Sequence, residues 1–120
     1  MSTTIIKSIH FEAAHRLPNT PVGHKCRELH GHSYACEIHV TGTVDRTQGW
    51  VCDFADIKDA FAPLLTMLDH HVLNEVEGLE NPTAENIAKW VWDKLTPRIE
   101  GLTAIVIQET ATSRCIYTGP

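Results

Sequence analysis

His24-Lys25-Cys26-Arg27-Glu28-Leu29-His30-Gly31-His32 brings a thiol close to two tightly spaced imidazoles, and a further histidine, His15, closes the segment before it. In an extended chain, residues i and i+2 point to the same face. His30 and His32 therefore project side by side, and Gly31 between them adds no side chain to obstruct a metal ion. A third nitrogen comes from His15 if the residues before it pair as an antiparallel strand with those after His32. Three neutral imidazoles suit zinc, and a catalytic zinc keeps its fourth position open for water or substrate. The competing reading is a histidine-rich surface turn.

Cys26 has two readings that the residues alone leave open. It is a fourth ligand closing a structural site, or a free nucleophile or base beside the metal. Lys25 and Arg27 flank it, and neighbouring cations favour a thiolate, as does a nearby dication.

At 120 residues the chain has the length of one domain, residues 1–120, with a modest core. A hydrophobic content of 42% with 21% charged residues is that of a soluble globular protein. The net charge of -5 argues against a general nucleic-acid binder, though not against a small anion held by a local basic cluster. Neither a signal peptide nor a membrane span is expected, so the expected location is the cytoplasm. Cys26, Cys36, Cys52 and Cys115 lack close pairing and read as free thiols in a reducing compartment.

Outward from the histidines, the pattern predicts a strand over Thr4–Ala14, where Ile5, Ile9 and Phe11 alternate, and a loop from Arg16 to Leu29. A second strand is expected over Ser33–Val44, with Tyr34, Cys36, Ile38 and Val40 on one face and Glu37, His39 and Thr41 on the other. His10 and His39 read as ordinary surface or interface histidines. From Asp53, apolar residues Phe54, Ile57, Phe61, Leu64, Leu65 and Leu68 recur at helical spacing, with Pro63 as an expected kink. That helix runs into Leu68-Asp69-His70-His71. A carboxylate beside an imidazole fixes its tautomer and raises its basicity, as in a general base; a solvated helix end is the plain alternative.

Asn74–Glu80 reads as an acidic loop. A second helix follows, with Thr83 as N-cap, Glu85 in its first turn and Pro97 at its end. Trp90 and Trp92 flank its apolar face as core or interface residues. Leu102–Thr110 and Arg114–Thr118 complete a hairpin. Glu109 closes the apolar run Ala104-Ile105-Val106-Ile107. A carboxylate there accepts two hydrogen bonds from the amino and ring N–H edge of a pterin or guanine, or is simply an exposed strand-end charge. The order strand, strand, helix, helix, strand, strand predicts an α+β domain, a four-stranded antiparallel sheet with both helices on one face. Its unpaired edges invite assembly between subunits.

Phe11-Glu12-Ala13-Ala14-His15, Cys26-x-x-x-His30-Gly31-His32, Asp53-Phe54, Leu68-Asp69-His70, Asn81-Pro82-Thr83 and Glu109-Thr110, in this order, resemble the 6-pyruvoyl-tetrahydropterin synthase family over essentially the whole chain. The three-residue gap between Cys26 and His30 resembles the family's queuosine-pathway branch. The resemblance implies a T-fold (tunnelling fold) whose subunit sheets join into a barrel, commonly a homohexamer built as a dimer of trimers. It implies zinc on His15, His30 and His32, Cys26 as a catalytic base rather than a ligand, and Asp69 with His70 as an acid–imidazole pair reaching the site from a neighbouring subunit. Glu109 matches the residue that anchors the pterin ring. The implied reaction turns 7,8-dihydroneopterin triphosphate into 6-carboxy-5,6,7,8-tetrahydropterin, acetaldehyde and triphosphate.

Overall fold

Two thirteen-residue strands form the spine of the computed structural model, which describes residues 2–120. Strands β1 (Thr3–His15) and β2 (His30–Gly42) pair antiparallel in unbroken register, from Thr3 opposite Gly42 to His15 opposite His30. Side chains alternate along a strand, so this register assigns every residue to a face. Phe11, Ala13 and His15 from β1 share the buried face with His30, His32, Tyr34, Cys36, Ile38 and Val40 from β2.

Helix α1 (Phe54–Leu68) starts where the Asp53 carboxylate accepts from the Ala55 N–H at 2.9 Å. It buries Ile57, Phe61, Leu64 and Leu68, one stripe at helical spacing. Helix α2 (Ala84–Leu95) is capped by Thr83, whose hydroxyl accepts from the Asn86 N–H at 3.1 Å. It buries Ile87, Ala88, Trp90, Val91 and Leu95, and the Trp90 indole donates to the Glu77 carbonyl. Strands β4 (Leu102–Thr110) and β5 (Ser113–Tyr117) form the C-terminal hairpin, with β4 antiparallel to β2. α1 packs on β1 and α2 on β4 and β5, and both feed one core cluster, so the two helices share a face. Each large aliphatic or aromatic side chain buried there contributes roughly 1.5–3 kcal/mol. No helix among the described residues is long and apolar enough to cross a membrane.

The sheet has five strands rather than the four expected. His71–Val72 forms a short β3 parallel to β1 at Ala13 and Ala14, giving the order β3-β1-β2-β4-β5. Two residues carry no readable periodicity, and partner backbone rather than propensity creates this strand. β2 begins at His30 rather than Ser33 and stops at Gly42 rather than Val44, because the ladder with β1 extends to the His15–His30 pair. β5 runs Ser113–Tyr117 rather than Arg114–Thr118. α1 continues through Pro63, and α2 ends at Leu95, two residues before Pro97. Among the described residues the outer edge of β1 is covered only at Ala13 and Ala14, and β5 leaves its own outer edge open.

Candidate metal centre

At the His15–His30 end of the β1–β2 ladder, one ring nitrogen from each of His15, His30 and His32 lies within 4.8 Å of the others. The strand register does this: His15 and His30 face each other across the ladder, and His32 follows on the same side. His15 is fully buried, and the other two are half-buried. The three rings meet edge to face, with centroids 4.6, 5.1 and 4.9 Å apart.

Backbone carbonyls fix two of the tautomers. His15 Nδ1 lies 2.8 Å from the Pro82 carbonyl, and His30 Nδ1 lies 2.8 Å from the Glu28 carbonyl. A carbonyl only accepts, so in each ring Nδ1 carries the hydrogen and Nε2 carries the lone pair. These two Nε2 atoms face each other at 3.0 Å, lone pair toward lone pair. Such an arrangement is unfavourable unless a cation lies between them. His32 Nε2 is buried and has no hydrogen-bond partner among the described residues: the Glu109 carboxylate is 3.3 Å away but not aligned to accept. Burial pushes the pKa values of His15 and His32 below the ordinary histidine value, against the opposing pull of the Pro82 bond on His15 and of Glu109 on His32. Both rings are therefore neutral at pH 7, the form that ligates a metal. The donor set fits a divalent ion of borderline softness.

Glu109 falls in the β-bulge between Gln108 and Thr110, and bulges re-aim side chains. Its carboxylate is 26% exposed and lies beside His32, so it is not a free strand-end charge. It also lines a small cleft of about 200 Å³ with Ala84, Glu85 and Arg114.

Cys26 lies outside the cluster of imidazoles. It occupies a single 3-10 turn, Lys25–Arg27, where its N–H donates to His24 Nδ1 and its carbonyl accepts from the Leu17 N–H at 2.7 Å. Arg27 donates to the Thr20 carbonyl, and Asn74 clamps the Arg16 backbone in both directions. The long Arg16–Leu29 loop is thus tied down at several points.

Asp69 and His70 form a preassembled pair, with His70 Nδ1 3.0 Å from one carboxylate oxygen. The other oxygen accepts from the Glu12 N–H at 2.9 Å, and the His70 N–H donates to the Glu12 carbonyl at 2.6 Å. The Glu12 bond first, and His70 next, hold the Asp69 carboxyl below the usual carboxylate range. Asp69 caps α1, and His70 follows it with a φ of 59°, a place where glycine is usual. A non-glycine residue in that region costs about 1–3 kcal/mol and survives only where its surroundings enforce it. His70 is 78% exposed. It lines an open cleft of about 440 Å³ with His71, Glu12, Ser33 and Gly31.

Sequence reasoning did not single out Tyr34, Pro82 or Glu28 as partners of the histidines. Tyr34 is fully buried, with its hydroxyl 3.2 Å from His15 Nδ1. It follows His32 by two residues, so the alternation that paired His30 with His32 also reaches it. Pro82 and Glu28 act through main-chain carbonyls, for which no residue type is a signal. Gly31 plays a different part from the one expected. It points to the face away from the imidazoles, as a residue between two inward neighbours must.

Residues 4–120 match the family model described as 6-pyruvoyl tetrahydropterin synthase. A 6-carboxy-5,6,7,8-tetrahydropterin synthase of Synechocystis sp. is 41% identical to this chain over 122 aligned residues, covering 97% of this chain and 93% of that protein. A dihydroneopterin monophosphate aldolase of Pyrococcus furiosus is 34% identical, covering 84% and 82% respectively. The solved structure of Caenorhabditis elegans 6-pyruvoyl tetrahydropterin synthase superposes with a TM-score of 0.91 at 29% identity, covering all of this chain and 97% of that one.

Proposed function

This chain belongs to the 6-pyruvoyl tetrahydropterin synthase family and has its T-fold, and from that premise we propose that it is a zinc-dependent lyase. With one water consumed, it converts 7,8-dihydroneopterin triphosphate to 6-carboxy-5,6,7,8-tetrahydropterin, releasing acetaldehyde and triphosphate, in the cytoplasm and as a step of queuosine synthesis. The observation that carries the reading is the convergence of three neutral imidazoles with Glu109 beside them. The 41% identity to a 6-carboxytetrahydropterin synthase supports this product over others.

His15, His30 and His32 would hold the zinc, which when bound supplies Lewis-acid polarisation of the substrate's side-chain oxygens. Glu109 accepts hydrogen bonds from the amino group and ring N–H of the pterin and so orients it. Cys26, as thiolate, takes a proton from the substrate side chain. Asp69 accepts from His70 Nδ1, which leaves His70 Nε2 to take up or return a proton on the other side. Those transfers permit the tautomerisation, loss of triphosphate and carbon–carbon cleavage that the products require. The open edges of β1 and β5 suit joining of subunit sheets into a barrel, a hexamer of two trimers, in which the exposed His70 of one subunit serves the site of its neighbour.

Mass spectrometry of the products from 7,8-dihydroneopterin triphosphate and zinc-loaded protein tests the reading, with acetaldehyde trapped in the same tube. Carboxytetrahydropterin with acetaldehyde is the expected result. The likeness to the C. elegans enzyme favours a second reading, triphosphate elimination that keeps the carbon side chain. A pyruvoyl product without acetaldehyde would establish that instead. Unchanged substrate beside folded zinc protein would leave a non-enzymatic zinc module.

A further inference from the structure

We propose that Tyr34 is a positioning residue for the metal centre, its hydroxyl locking the His15 ring to the strand that carries His30 and His32. The inference rests on the metal-site reading given above. Tyr34 is fully buried two residues beyond His32 on the same face of β2. Its ring stacks on Phe11 at 4.9 Å, nearly parallel, and meets His15 and His32 edge-on at 5.9 and 5.5 Å. Packing alone would be served as well by phenylalanine. A buried hydroxyl is costly unless it is bonded, and among the described residues the one partner of this hydroxyl is His15 Nδ1.

The bonding has a definite direction. The Pro82 carbonyl forces the hydrogen onto His15 Nδ1, so the Tyr34 oxygen accepts a second share of the same N–H. The two acceptors do different work. Pro82 sets the tautomer from the loop ahead of α2, whereas Tyr34 ties His15, a β1 residue, to β2. His15 is thus held to β2 through Nδ1 by Tyr34, which leaves its Nε2, 3.0 Å from His30 Nε2, for the metal. A cation at Nε2 draws electron density from the imidazole and makes Nδ1–H a stronger donor, so both bonds tighten when the metal binds. Outer partners of this kind change metal affinity about 10–100-fold, and a shared bond belongs at the lower end.

The test titrates zinc and cobalt(II) into metal-free full-length chain against a competing chelator, and follows the cobalt d–d spectrum and the thermal unfolding of the metal-free protein. Tyr34→Phe removes one oxygen. The expected result is a loss of about tenfold in affinity with an altered cobalt spectrum, while the metal-free unfolding midpoint stays near that of the wild type. Phe11→Leu loosens the same stack without touching the hydroxyl, and should lower the midpoint while leaving the affinity within about twofold. Wild-type affinity and spectrum in Tyr34→Phe would overturn the proposal, as would a fall in its metal-free stability matching that of Phe11→Leu. Wild-type protein that binds no metal would instead defeat the metal-site reading itself.

Discussion

Two groups of functional side chains hang from β1 only three residues apart, and they are built in opposite ways. His15 is fully buried, its ring gripped by a carbonyl and a tyrosine, and it closes on two imidazoles of the paired strand. The Asp69–His70 pair, bound to the backbone of Glu12, is as firmly prearranged but stands in solvent, with His70 78% exposed. A metal cage needs three ligands fixed against one another, and a strand pair within a core supplies that inside one chain. A proton carrier must reach its substrate. Rigid and exposed together describe half of a site, which fits a pair that acts on a substrate held by another subunit.

The contrast breaks most sharply under substitution. His15→Ala should reduce bound zinc to near zero by metal analysis and abolish turnover. His70→Ala and Cys26→Ala should each keep about one zinc per chain and lose roughly 10²–10⁴-fold in kcat, the usual share of a general acid or base. If the pair serves a neighbour, mixed oligomers co-expressed from the Cys26→Ala and His70→Ala chains recover part of the wild-type rate, because some sites receive both intact groups. Mixed oligomers as inactive as their parents would place both groups in the same subunit's site.

The clustering of the histidines was legible in the sequence because its determinants are local and periodic. His30 and His32 declare a shared face by spacing, and Glu109 drew notice only as the charge that closes a continuous apolar run. The pairing that delivers His15 stood in the sequence only as a condition, which the β1–β2 ladder meets. What the sequence hid depends on backbone rather than residue type. β3 exists because β1 offers it an edge at Ala13 and Ala14, and the bulge that turns Glu109 toward His32 arises from pairing between strands. The φ of 59° at His70 has no signature either, since histidine there contradicts the usual glycine. Tyr34 is the intermediate case, on the right face by parity but indistinguishable by pattern from a core aromatic.

The same contrast divides by pH. Burial keeps His15 and His32 below their ordinary value of 6.5 in the folded protein. The unfolded chain then takes up protons that the folded one refuses, so the metal-free protein loses stability as pH falls from about 7 toward 5. Asp69 acts in the same direction, at lower pH. Its depressed value contributes stability that is complete above its ordinary 3.8 and fades only below that. Thermal unfolding of metal-free protein from pH 8 to 3 should show two separate declines, the first on the order of a few degrees. A midpoint flat between pH 7 and 5 would mean that the imidazoles protonate as freely as in the unfolded chain, contrary to their burial.

The smallest expected effect is at Gly31, which sits between two of the clustered histidines yet belongs to the other region. Its missing side chain faces the cleft shared with His70 and His71, and an added Cβ would come no nearer than 3.6 Å to any heavy atom, the Ala13 carbonyl oxygen. That is ordinary contact. Because glycine in a strand interior is destabilising by roughly 0.5–1 kcal/mol relative to alanine, Gly31→Ala should be neutral or slightly stabilising in thermal unfolding. Zinc affinity should stay within about twofold of the wild type, as for other substitutions that disturb no buried contact. A marked loss of zinc would show that the strand cannot accept a side chain between its ligands, and the division into two faces would fail at its narrowest point. Intact zinc with reduced turnover would place substrate, or the chain that brings it, against the outer cleft, on the side where His70 waits.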